Sequence, residues 1–192
     1  GGERRHRSSR FGTSEVGHMK TVALCPQIYV ACLAAYNDGI LHGEWIDATQ
    51  DPEDIHAEIQ DMLKKSPIPN AEEWAIHDYS DFGGMRLSEC EDIEHVHELA
   101  KALEECGEAF ALYADLVGED YATVESFNDA YHGEWDSEED FAYDWWEQAG
   151  YLAQIPEELR CYIDWERVAR DLFLDGFMSA RLNGNVHVFS RY

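Results

Sequence analysis

This sequence is poor in positive charge. It holds 14 Lys and Arg against 40 Asp and Glu in 192 residues, a formal net charge of −26 at pH 7. Such a field repels nucleic acid and anionic membrane surfaces, so neither direct DNA binding nor membrane binding is expected; it attracts basic partners and speeds encounter with them. No apolar run is long enough to span a bilayer as a helix, and no secretory signal pattern is visible. The five cysteines, Cys25, Cys32, Cys90, Cys106 and Cys161, are odd in number, scattered and without a CxxC pair. A disulfide framework is not expected, and reduced thiols in a cytoplasmic protein are the simplest reading.

Catalytic signatures are scarce as well. No stretch follows the alternating ligand pattern of an EF-hand, and HExxH is absent. His95 and His97 lie about 200° apart on a helical wheel, so they do not share a metal. The His-x-Glu of the two HGEW segments lacks the P-C-x-x-C partner of a zinc deaminase. Neither a P-loop, a GxGxxG nor a GxSxG occurs. Paired carboxylates carry no information where there are 40 acids. The expectation is a protein with no catalytic residues, metal or cofactor.

What the chain does have is core material. Hydrophobic residues make up 45%, with six Trp, ten Tyr and eight Phe, which excludes a disordered acidic tail. The first nineteen residues differ in kind: they hold Arg4, Arg5, Arg7 and Arg10, have no apolar period and end in Gly-His-Met. They read as an expression scar, with a native, disordered basic arm as the alternative. Residues 21–192 then keep 38 acids against 9 basic residues, a net of −29, and residues 87–159 hold 22 acids with Lys101 as the sole Lys or Arg.

The pattern predicts an α+β chain. Ile28–Tyr36 is apolar and β-leaning, Asn37-Asp38-Gly39 marks a turn, and His42–Ala48 reads as a returning strand. Asp51–Lys65 is helical, with Asp51 as cap, Pro52 at the first position and an apolar face of Ile55, Ile59, Met62 and Leu63. Glu72–Tyr79 reads as a strand. Leu87 to about Gly133 is helical in pattern, with Ser88 as first cap, breaks at Gly107 and Gly118, and a helix from Thr123 through Tyr131. A further helix opens at Asp136–Glu139 and ends at Gly150; one of Trp145 and Trp146 belongs to the core. Pro156 starts a short helix and Asp164 caps the next. Phe177–Leu182, Asn183-Gly184-Asn185 and Val186–Arg191 form a hairpin signature. The two HGEW segments, His42–Trp45 and His132–Trp135, read as recurring turn chemistry.

The acids suggest a joint role. A DNA duplex carries one charge per 1.7 Å of axis, so 29 net charges match about 50 Å of duplex. Carboxylates three or four positions apart on a helix lie about 5–6 Å apart, close to the spacing of neighbouring phosphates. Glu91, Glu94 and Glu98 read as one such row; Glu134 and Glu138, continued by Asp144 and Glu147, read as another. The candidate surface comprises Glu89, Glu91, Asp92, Glu94, Glu98, Glu104, Glu105 and Glu108. It continues with Asp115, Glu119, Asp120, Glu125, Asp129, Glu134, Asp136, Glu138, Glu139, Asp140, Asp144 and Glu147. A salt-adapted acidic domain and a generic binder of basic proteins are the competing readings of the same charge.

Several segments in order resemble the ArdA antirestriction family. IYVACLAAYNDGILHGEWID (residues 28–47) is similar to its opening hairpin and EEWAIHDY (72–79) to its next strand. YLAQIPEELRCYID, Tyr151 to Asp164, resembles its antirestriction motif, and DWERVARDLFLDG follows as in relatives. Phe82-Gly83-Gly84-Met85 has no clear counterpart. The resemblance implies an elongated protein of three small domains: a mixed α/β hairpin domain over 20–87, a helical middle domain over 88–133 and a mixed α+β domain over 134–192. It implies a homodimer that imitates bent B-form DNA. Its implied partner is a Type I restriction-modification enzyme, whose DNA-recognition and methylation subunits it occupies, blocking the DNA channel and protecting incoming mobile DNA. Within the motif, Leu152, Ile155, Leu159 and Ile163 look like packing. Together with Tyr151, Pro156, Tyr162 and Asp164 they are expected to form a core or dimer-interface element.

Overall fold

The structure is a computed structural model that describes residues 24–191. The arginine-bearing segment read as an expression scar lies outside the described residues. The fold is α+β, with two three-stranded antiparallel sheets.

The first sheet is built on β1 (Gln27–Cys32). It pairs with β2 (Gly43–Asp47) on one side and β3 (Trp74–Ser80) on the other. Ile28, Val30 and Cys32 alternate toward one face and are fully buried, as a period of two requires. Helix α2 (Pro52–Lys64) covers that face with Ile55, Ile59, Met62 and Leu63. Asp51 is at its N-cap with extended backbone, but its side chain makes no capping bond. The strand expected over Ile28–Tyr36 stops at Cys32. Leu33–Asn37 instead forms a short helix, α1. Leu-Ala-Ala favours helix, and Asp38, Gly39 and Ile40 close it by hydrogen bonds to the carbonyls of Ala35 and Tyr36.

After β3 the Phe82–Met85 loop plugs into the helical layer. Phe82 and Met85 are buried in the main core. Gly83 has φ +62, and a Cβ there would lie 2.8 Å from the Ala111 Cβ, so the loop's close approach requires glycine.

The helical layer holds α3 (Ile93–Cys106), α4 (Glu108–Val117), a 3-10 turn (Glu119–Tyr121) and α5 (Val124–Ala130). The breaks at Gly107 and Gly118 lie where the sequence places them. The cap of α3 does not. Ser88 makes a local turn, accepting from Cys90 N, and the Asp92 carboxylate caps the helix by accepting from Glu94 N at 3.0 Å. Thr123 caps α5 through a reciprocal bond pair with Ser126.

The helical reading through Gly133 is also overturned. Tyr131–Trp135 is strand β4. The second sheet runs β4-β6-β5, with β5 (Phe177–Leu182) and β6 (Asn185–Ser190) as the expected hairpin. Pairing with β6, far downstream in the chain, overrides the local pattern, and Tyr and Trp suit a strand. Between these strands lie α6 (Glu138–Gln148), a 3-10 turn (Leu152–Gln154), α7 (Glu157–Arg160) and α8 (Trp165–Asp175). Ser137 caps α6 and Asp164 caps α8.

Both HGEW segments run into edge strands: the first lies in the returning strand expected over His42–Ala48, while the second joins β4, so the pair is not recurring turn chemistry. In β2, Gly43, Glu44 and Trp45 pair with Ala31, Val30 and Tyr29; in β4, Gly133, Glu134 and Trp135 pair with Val188, His187 and Val186. A Cβ at Gly43 would come within 2.4 Å of the Val30 carbonyl. The residue therefore serves the close approach of the two strands.

One buried set joins the first sheet, α2 to α5 and Phe189 of β6. A second, smaller set gathers Phe141, Phe177, Val186 and Val188, with Trp135, Trp145, Leu172 and Phe173 against it. Trp145 is thus the core tryptophan of the pair. Trp146 meets Tyr151 and Trp165 instead.

Candidate functional site

The folded chain turns its carboxylates outward. Among the candidate acids between Glu89 and Glu147 none is buried; Glu91, Glu108, Glu138 and Asp144 are half-buried and the rest exposed. This follows from amphipathic patterning. On α3, Ile93, Val96, Leu99, Ala100 and Leu103 take the inner face, which leaves Glu94, Glu98, Glu104 and Glu105 to solvent.

Two groups stand out among these acids. The first holds the fold together. Glu91 accepts from Ser88 N, and Asp92 caps α3. Glu138 accepts from the Ser179 hydroxyl at 2.6 Å, and Asp140 accepts from the Ser137 hydroxyl at 2.6 Å. Asp144 accepts from the Trp135 indole N–H at 3.0 Å. Glu104 pairs with Lys101. Hydrogen bonding to Glu94 holds the Asp92 carboxyl below its usual range.

The second group is uncommitted. Glu98, Glu105, Asp115, Glu119, Asp120, Glu125 and Asp129 accept no hydrogen bond and enter no ion pair among the described residues. They stand on α3, on α4, on the 3-10 turn and on α5. Exposed charges of one sign with no internal partner cost stability through repulsion and contribute nothing to packing. Lys101, the one Lys or Arg in the stretch from 87 to 159, is neutralised by Glu104.

The phosphate-like rows need correcting. Glu91 precedes α3 and is turned into the Ser88 turn, so Glu94 and Glu98 continue without it. Glu134 lies on β4 and not on the helix of Glu138. The Glu134 carboxylate stands 3.5 Å from the His187 Nε2, and the His187 Nδ1 meets the Tyr131 hydroxyl at 2.9 Å. Burial, and then the Glu134 charge, push the Tyr131 hydroxyl up to about 12. The Glu134 carboxylate beside Nε2 favours the ring proton there, which leaves Nδ1 to accept from the Tyr131 hydroxyl.

The Tyr151–Asp164 segment makes a short, tightly turned surface. Leu152 is buried, Ile155 and Ile163 are half-buried, and Asp164 caps α8 by accepting from Arg167 N. Tyr151, Pro156, Leu159 and Tyr162 are exposed, Tyr162 to 81%. Leu159 thus faces solvent, contrary to a packing role within the chain. No group of three or more His, Cys, Asp and Glu side chains arranged to hold a metal occurs among the described residues.

The family model described as Antirestriction protein (ArdA) matches residues 28–186, from the first strand to the last. The chain belongs to the ArdA antirestriction family. No curated protein matches it. Family membership gives antirestriction as the function class. No helix among the described residues is long and apolar enough to cross a membrane.

Proposed function

We propose that this ArdA protein works as a mimic of duplex DNA. It binds the DNA-recognition and methylation subunits of a Type I restriction-modification enzyme and competes with DNA for their channel. The observation that carries this reading is the uncommitted carboxylates of α3, α4, the 3-10 turn and α5, set on a packed scaffold without internal partners. Basic residues that grip phosphates would pair with them. Each pair is weak and screened. Many pairs on a preformed surface add up, and the partner avoids the cost of bending real DNA. Binding, not catalysis, is then the whole activity, and mobile DNA entering a new host is what it protects.

The division into three domains, with boundaries near 87 and 133, goes with this reading, as does a homodimer. Exposed Tyr151, Leu159 and Tyr162 beside Arg160 offer an apolar and less negative face, where two strongly acidic chains meet with least repulsion.

The test is competition. A purified Type I enzyme is bound to labelled duplex DNA and titrated with the protein at two salt concentrations. Displacement of DNA that weakens at the higher salt supports mimicry. Equal binding to histone-like basic proteins, with no competition against DNA, would favour a generic acidic binder instead.

A further inference from the structure

A cleft of about 480 Å³ opens between α3, the Glu119–Tyr121 turn and the start of α5. Its floor is apolar, from Phe110 and Val124. Its rim carries Glu98, Glu119 and Asp120, and His97 forms one wall. The Nδ1 of His97 is shielded from water and has no hydrogen-bond partner. Lys101 also borders the cleft, but its ammonium is held by Glu104.

We propose that this cleft takes the side chain of an arginine from the partner's DNA-binding surface. The proposal rests on the mimicry reading for its partner, and on the cleft alone for its chemistry. Carboxylates at the rim reject an anion. Charge at the rim also disfavours a purely apolar guest, whereas the floor suits a methylene stem. A guanidinium combines that stem with a planar head carrying five N–H donors, and it sheds water more readily than an ammonium.

The rim is also preorganised. The Tyr121 N–H bonds the Gly118 carbonyl, the Ser126 hydroxyl reaches the Tyr121 carbonyl, and the Thr123–Ser126 box fixes the entry to α5. Little ordering remains to be done on binding.

The probe is N-acetyl-arginine amide, titrated into the full ¹⁵N-labelled chain and followed by amide shifts, with N-acetyl-lysine amide alongside. Saturable shifts confined to the surroundings of Glu98 and Asp120, with arginine about fivefold or more tighter than lysine, are expected. Val124→Trp fills the floor without changing charge and should weaken the arginine probe about tenfold. Glu98→Gln reads the same site should that variant not fold. Shifts spread evenly over α3 to α6, or equal responses to both probes, would overturn the proposal. In competition against DNA for a Type I enzyme, Val124→Trp should inhibit several-fold less well, whereas Glu72→Gln, an acid outside the cleft and the helical face, should not. Because the probe needs no enzyme, its failure sinks the cleft alone. Failure of the unaltered protein to compete sinks the mimicry reading.

Discussion

Single residues decide how much of the negative charge serves the fold. Thr123 is a helix cap whose loss changes no charge. Thr123→Ala should lower stability by about 1 kcal/mol, read as a lower urea midpoint with unchanged slope. His132 and His187 carry the pH response near neutrality. Burial lowers both imidazoles from the ordinary value of 6.5, and for His187 the Glu134 charge partly opposes the shift. The neutral forms therefore favour the folded chain. Their contribution is complete above pH 6.5 and is lost as pH falls below it, because the unfolded chain takes up those protons first. Urea midpoints measured from pH 7.5 down to 5.5 should fall, and His187→Gln should flatten the fall. A midpoint independent of pH over that window would contradict this account.

Elements are joined by a few close approaches. The Phe82–Met85 loop ties the first sheet to α3 and α4, and Gly83 sits where a Cβ would strike Ala111. Gly83→Ala should destabilise by roughly 1–3 kcal/mol, from overpacking and a positive φ together, measured by chemical unfolding. The second sheet has the smaller core. Phe141 is 2% exposed and meets the rings of His132, Trp135, Trp145, Phe173 and Phe177. Phe141→Ala should cost about 3–5 kcal/mol, with faster amide exchange in β5 and β6 than in β1. The helices α2, α4 and α8 were legible because stop signals and apolar period agreed. Strand β4 was not, since its only reason to be a strand is a partner, β6, that lies far along the chain.

At the scale of the whole molecule, salt acts in two directions. Added NaCl screens the repulsion among like charges and should raise the unfolding temperature. The same screening weakens pairing with a basic partner, so inhibition of a Type I enzyme should fall over the same range. Paired titrations of thermal unfolding and inhibition check this; a rise in both would argue against an electrostatic mode of action.

The sequence by itself determined the sign and size of the charge, the α+β class, most helices, the C-terminal hairpin and the family. These follow from composition, from periods of two and 3.6, and from local stop signals, none of which needs a distant partner. Tertiary structure decided the rest. It turned the second HGEW segment, His132–Trp135, into a sheet edge, handed the capping of α3 from Ser88 to Asp92, and sorted the acids into those that brace the fold and those left to solvent. It also closed a cleft between α3 and α5 from residues that no motif connects. Long-range pairing and packing set each of these outcomes, and neither is written in any short window of the chain.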